Sequence, residues 1–185
     1  MTAQNETPDP STPATQASLE QRLADAVAAE SETRVVERCV SLLAGRYEGE
    51  DFLRVVGGHH AEGILGGAPA LYWPELWGTR ALLHVWDDSA SAPVIGALGN
   101  QAWRVREMST RVTSTRSLPF AEELRPLLTD DTARVRASAA RTLGDVGEAD
   151  DRSLLANLFR DPEVEVRRAA DVATKRLTAR FPDQA

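Results

Sequence analysis

Four tryptophans, Trp73, Trp77, Trp86 and Trp103, fall within one window of 31 residues, in company with Tyr72, Arg80, His84, Asp87, Asp88, Arg104 and Arg106. Rings interleaved with guanidinium groups are what protein-interaction hot spots use. They are also what a groove that stacks nucleobases uses. Large rings serve a third purpose, which is to fill the join between packed helices. Trp73, Trp77 and Arg80 stand three to four residues apart and so share one helix face. The window is also the least acidic part of the chain. Residues 69 to 120 hold five Arg against four Asp and Glu, whereas the whole chain carries a net charge of −7.

Other chemistries lack a positive signal. The glycine-rich run GGHHAEGILGG from Gly57 has no closing Lys-Ser/Thr and follows no strand, so it does not read as a phosphate loop. There is no Gly-x-Ser-x-Gly elbow. The three histidines are His59, His60 and His84, and only His60 with Glu62 comes near a metal-ligand spacing. The neighbouring His59 and His60 would point about 100° apart on a helix, and such a pair rarely ligates one metal. Cys39 is the only cysteine, so neither an intrachain disulfide nor a cysteine-based zinc cluster can form. It lies in an apolar run and is expected to be a buried, inert thiol. No catalytic residue, metal or cofactor is expected.

The elements that must position the Trp and Arg side chains are helices. Ser18 reads as an N-cap with Gln21 three residues on, ahead of an amphipathic stretch reaching about Ala29. Ser31 or Thr33 opens a second helix with the stripe Val35, Val36, Cys39, Leu42 and Leu43, which Gly45 stops. A third helix runs from Asp51 toward Gly57. The glycines between 57 and 67 leave space for one or two further turns. Then a repeat begins. Asn100, Asp130 and Asp161 are spaced 30 and 31 residues apart, and each is followed by a Val-Arg step: Val105-Arg106, Val135-Arg136 and Val166-Arg167. An apolar helix precedes each one, ending on Leu98, Leu128 and Phe159, seven residues before the valine. Arg80 takes the place of Arg106 in an earlier, less regular copy. Helix pairs at one period must bury their second face against the next pair, which predicts a stack with one continuous core and atypical ends.

The motif Asp-x-x-x-x-Val-Arg-x-x-Ala-Ala-x-x-Leu-Gly, complete from Asp130 to Gly144, resembles the HEAT-like repeat first described in phycobilisome lyases. The copy from Asp161 keeps Val166, Arg167, Ala169, Ala170 and Ala173. The copy from Asn100 departs further, with Met108-Ser109 where the alanine pair stands. The resemblance covers roughly residues 70 to 178, and the stretch around the first three tryptophans is similar to segments of small bacterial HEAT-repeat proteins. It implies an all-α fold, a right-handed α-α superhelix of the HEAT/armadillo-like solenoid kind. It also implies that Arg106, Asp130, Arg136, Asp161 and Arg167 form a structural ladder, with each turn acid capping the helix after it. A fold of this kind carries no chemistry by itself.

The expected organisation is a tail over 1 to 16, a helical capping region over 17 to 68 and HEAT-like repeats over 69 to 180. The expected function is non-catalytic protein recognition through the groove of the second helices. Trp103, Arg104, Arg111, Arg134, Arg141 and Arg168 are its candidate partner-binding residues, with Glu165 beside them. Trp103 should be more exposed than Trp77, because later copies hold Ala133 and Val164 or Glu165 at its place. The alternative is a nucleic-acid-binding or DNA glycosylase-like protein, toward which Trp103-Arg104 and Asp87 or Asp88 point. A pI near 5.0 and a single lysine, Lys175, oppose it. Neither a secretory signal nor a membrane span is legible, so a cytoplasmic monomer with a protein partner is expected.

Overall fold

The computed structural model describes residues 17–182, so the expected tail over 1 to 16 lies outside the described residues. Helix α1 (Leu19–Glu30) starts where Ser18 accepts the Gln21 amide at 3.2 Å. The capping box is only half formed, because the Gln21 side chain bonds Asp25 one turn on instead. Ser31 ends α1 and, by accepting from the Arg34 amide, begins α2 (Glu32–Leu43). Val35, Val36, Cys39, Leu42 and Leu43 of α2 are all buried, as the stripe required. Burial pushes the Cys39 thiol up to about 12, so it stays protonated and inert at neutral pH. Helices α3 (Glu50–Gly57) and α4 (Ala61–Leu65) follow, and α4 is the short piece the glycines allowed.

Helix α5 (Trp73–Ala81) packs against α2 on one side and leads into the regular stack on the other. Contact with α2 is close enough that a Cβ on Gly78 would lie 2.7 Å from the Cys39 carbonyl oxygen. Three pairs come next. Their first members are α6 (Ser91–Gly96), α8 (Ala121–Leu124) and α10 (Asp151–Asn157), each continued by a 3-10 turn, over Ala97–Gly99, Arg125–Thr129 and Leu158–Arg160. Their second members are the longer α7 (Trp103–Thr115), α9 (Ala133–Val146) and α11 (Val164–Arg180). The stack of second helices runs α2, α5, α7, α9, α11. It is an all-helical solenoid, as the repeat predicts, although the first helices are shorter than a 10-residue α-helix and finish as 3-10.

One register differs from the expectation. The inward residues at the ends of the 3-10 turns are Leu98, Leu128 and Leu158, whereas Phe159 is 44% exposed. The extra residue that makes the last spacing 31 lies between Leu158 and Asp161, so Phe159 is rotated outward.

The core also differs from a continuous one. The buried apolar residues form two clusters, one from Leu23 to Leu118 and one dominated by residues 121 to 177. Hydroxyls line the seam between α7 and α9: Thr110 bonds Ser138, and Thr142 donates to the Thr110 carbonyl at 3.1 Å. Ser109, Thr110, Thr113, Ser138 and Thr142 are all buried. The α9–α11 seam is apolar instead, and so tight that a Cβ on Gly144 would lie 2.8 Å from the Ala173 Cα. On α11, the positions of α9's buried Ala137, Ala140 and Gly144 hold Arg168, Asp171 and Lys175, so the corresponding face is charged.

Ser109 occupies the place of Ala139 and Ala170, and its hydroxyl is buried without a partner among the described residues. An unsatisfied buried hydroxyl costs about 1–3 kcal/mol. The Ser109→Ala variant should therefore melt at a higher temperature than the parent; an unchanged or lower melting point would show that the hydroxyl is satisfied in solution.

Candidate functional site

Each turn between a first and a second helix is held by its own acid or amide. The side-chain oxygens of Asn100, Asp130 and Asp161 accept the amides of Ala102, Thr132 and Glu163 at 2.8, 2.8 and 2.9 Å. Those amides belong to the N-cap residues themselves, and α7, α9 and α11 have no side-chain cap. The acids therefore close Asx turns ahead of the helices, a correction to the capping role expected of them. The Val-Arg arginine then folds back over the turn. Arg106 donates through Nη1 to the carbonyls of Asn100 and Gln101, Arg136 to those of Asp130 and Asp131, and Arg167 to those of Asp161 and Pro162.

The opposite edge of each guanidinium reaches forward. Arg106 grips the Asp130 carboxylate with Nε and Nη2 at 2.7 and 2.9 Å, and Arg136 grips Asp161 at 2.8 and 3.0 Å. Each arginine thus links its own turn to the acid of the following one. The paired side chains keep only 18% and 9% exposure in the first rung and 13% and 6% in the second, so screening by water is slight. At Asp130 desolvation pushes the carboxyl pKa up. It is outweighed by the Arg106 and Thr132 hydrogen bonds and by the charges of Arg106 and Arg136, and the net direction is down. At Asp161 the Arg136 hydrogen bond leads and the direction is again down. Among the described residues Arg167 meets no following acid, and it holds its turn carbonyls alone.

At the other end the rung is inverted. Asn100 donates from Nδ2 to Glu75 at 2.8 Å. An amide stands where later copies hold aspartate because its neighbour is itself a carboxylate. Arg80 does not perform the role of Arg106; its Nη2 donates to the Val56 carbonyl at 3.0 Å. A further rung lay outside the sequence reading. Asp151, fully buried in the first turn of α10, accepts from Arg125 at 2.7 Å and from the Glu148 amide at 2.8 Å. Its residues stand outside the repeat motif, so spacing gave no sign of it.

The partner-binding candidates separate into two sets. Trp103, Arg104 and Arg134 come together with Leu76, Glu107, Met108 and Thr132 around an open depression of about 440 Å³ between the N-terminal ends of α7 and α9. Arg104 is fixed there: its carbon lies 4.3 Å from the Trp103 ring centre, and Nη1 donates to the Tyr72 hydroxyl at 2.9 Å. Trp103 is half-buried and Trp77 only 4% exposed, the order expected. Arg111 and Arg141 stand two turns along from Arg104 and Arg134 on the same helix faces, outside the depression and exposed. Arg168 aligns with Ala137 and not with Arg134 or Arg141, so it lies on the outer face of α11; Glu165 takes the register of Arg134. Among the described residues, Arg111, Arg134, Arg141 and Arg168 form no hydrogen bond or ion pair.

Asp87, His84 and Arg106 each face a different neighbour. Asp87 accepts from the Ser89 amide, His84 faces Glu20 at 3.5 Å, and Arg106 is held by Asp130. The described residues bring no three His, Cys, Asp or Glu side chains into a metal-holding group. No described helix is long and apolar enough to cross a membrane.

A solenoid of stacked helix pairs joined by arginine rungs is the class of protein that this geometry defines. Residues 117–173 match the model of the HEAT repeat family, a span that runs from the end of the first regular copy to Ala173 in α11. Over this span the chain carries HEAT repeats. No curated protein matches it.

Two substitutions test the ladder. Arg136→Ala leaves the Asp161 carboxylate unpaired in a half-buried seam and should cost about 3 kcal/mol, whereas Arg167→Ala removes only carbonyl contacts and should cost about 1 kcal/mol. Equal melting-point losses would contradict the forward-reaching rung. Because the Asp130 and Asp161 pKa values are depressed on folding, their contribution is complete above the unfolded value of about 3.9 and fades as pH falls through the lower folded values. Acid unfolding of Arg136→Ala should accordingly begin at higher pH than that of the parent. Asn100→Asp keeps the Asx turn but sets two carboxylates against each other. It should destabilise at pH 7 by about 1–3 kcal/mol and by less near pH 4, where the pair shares a proton; a pH-independent loss would argue against the Glu75 contact.

Proposed function

We propose that the protein is a non-catalytic scaffold that recognises an acidic segment of a protein partner along its second helices, with Trp103 as an anchor. The observation that carries this reading is the set of unpaired arginines. In a chain of net charge −7 that engages most of its other arginines internally, Arg111, Arg134 and Arg141 of α7 and α9 form no hydrogen bond or ion pair among the described residues. Arg104, stacked on Trp103 and tied to Tyr72, adds a guanidinium already fixed in place, which lowers the cost of ordering it on binding. HEAT repeats generally serve protein interaction, and the Asp-Val-Arg-Ala spacing supports the variety seen in phycobilisome lyases. Arg168 belongs to this surface less well, because its register turns it to the end of the stack.

The alternative, a nucleic-acid-binding or glycosylase-like protein, is weaker on physical grounds. Asp87 is taken by a backbone amide, and the overall negative charge opposes phosphate contacts.

The deciding experiment is affinity capture from the native host with the parent chain, Trp103→Ala and the double variant Arg134→Glu, Arg141→Glu. Protein partners retained by the parent should be lost with both variants, and lost from the parent as salt is raised, while melting points change little. Partners that persist on both variants, or nuclease-sensitive retention, would overturn the proposal.

A further inference from the structure

Arg80 is the arginine that the ladder does not use. Its counterparts Arg106 and Arg136 each hold a carboxylate with two hydrogen bonds. At Arg80 one nitrogen, Nη2, donates to the Val56 carbonyl, and Nε is buried with no partner among the described residues. Asn100, where its acid would stand, has turned to Glu75. Another cation, Arg22, lies close enough to repel it and is itself bonded to the carbonyls of Val55 and Ala17. Desolvation lowers the Arg80 pKa, the direction expected of a cation without a counter-charge.

This guanidinium borders a cavity of about 410 Å³ formed by α4, the loop after it and α5, which lies within the usual range for small-ligand sites. Trp73, Trp77, Ile64 and Pro69 supply apolar walls, and His60 stands at the rim. Trp77 is held against Gly57, where a Cβ would come within 2.6 Å of its ring, so this wall is rigid. Trp73 lies 6.2 Å from it, ring centre to ring centre. A flat apolar wall beside an uncompensated planar cation is complementary to a ligand that is apolar at one end and anionic at the other.

We propose that this cavity binds a small organic carboxylate with an aromatic body, the rings of Trp73 and Trp77 taking the body and Arg80 the carboxylate. The site is separate from the Trp103 groove and does not depend on the scaffold reading.

The test uses the full chain with 4-phenylbutyrate and indole-3-acetate as probes and their neutral amides as controls. Titration is followed by calorimetry and by the four tryptophan indole N–H signals. Saturable binding of an acid is expected with half-saturation at or below about 1 mM, and the matching amide should bind at least about tenfold more weakly. The indole signals of Trp73 and Trp77 should move while those of Trp86 and Trp103 stay. Arg80→Gln removes the cation but also frees the Val56 carbonyl, so a second variant guards against misfolding. Gly63 lines the cavity, and a Cβ built there meets nothing within 4 Å. Gly63→Phe should abolish binding without lowering the melting point. Equal affinity for acid and amide, no binding up to about 10 mM of either acid, shifts confined to Trp103, or undiminished binding by Gly63→Phe would each overturn the proposal.

Discussion

The turns that feed the second helices leave backbone carbonyls facing a crowded seam, and at Arg106 and Arg136 one guanidinium satisfies these together with the carboxylate of the following turn. Its Nη1 edge holds the carbonyls of its own turn, while Nε and Nη2 hold the acid of the following turn. Only a planar fork with five donors can face two directions in this way; a lysine ammonium could satisfy one side and leave the other buried without a partner. The regular stack depends on this rung because helix pairs of such short length cannot stand alone. Apolar packing pulls neighbouring pairs together, and the rung fixes their relative height.

The departures from the rung say as much as its repetition. At Asn100 the polarity is inverted to suit Glu75, at Arg167 the forward edge has no acid, and at Arg80 the side chain has left the ladder for the end of α3. Buried polar groups persist where a partner is supplied, and each departure follows from a change in the partner on offer. The hydroxyl seam between α7 and α9 obeys the same rule. Most of its hydroxyls find carbonyls or each other, at the cost of splitting the apolar core in two.

These constraints also sort the arginines by availability. Arg106 and Arg136 are consumed by the scaffold, Arg116 by the Leu82 carbonyl and Arg125 by Asp151. On α7 and α9, Arg111, Arg134 and Arg141 are left over among the described residues, and a surface that keeps unpaired forks on rigid helices is prepared for anionic groups from elsewhere. Glu107 and Met108 beside Trp103 show that the depression is mixed in character, with apolar contact as well as charge.

The sequence by itself determined the helical repeat, its period and the Ser18 start, and it narrowed the second helix start to Ser31 or Thr33. All of these rest on local rules: spacing around a helix, capping oxygens and turn chemistry act within a few residues. What only the tertiary structure decided involves pairs far apart in the chain. That Arg106 and Arg136 reach forward to the acid of the following turn, that Asp151 is buried against Arg125 and that Leu158 rather than Phe159 points inward are matters of how neighbouring pairs stack. The same holds for the tryptophan window, which reads as one cluster. Packing divides it, sending Trp73 and Trp77 to one cavity and Trp103 to another, because a helix face shared along the chain does not fix which neighbour will cover it.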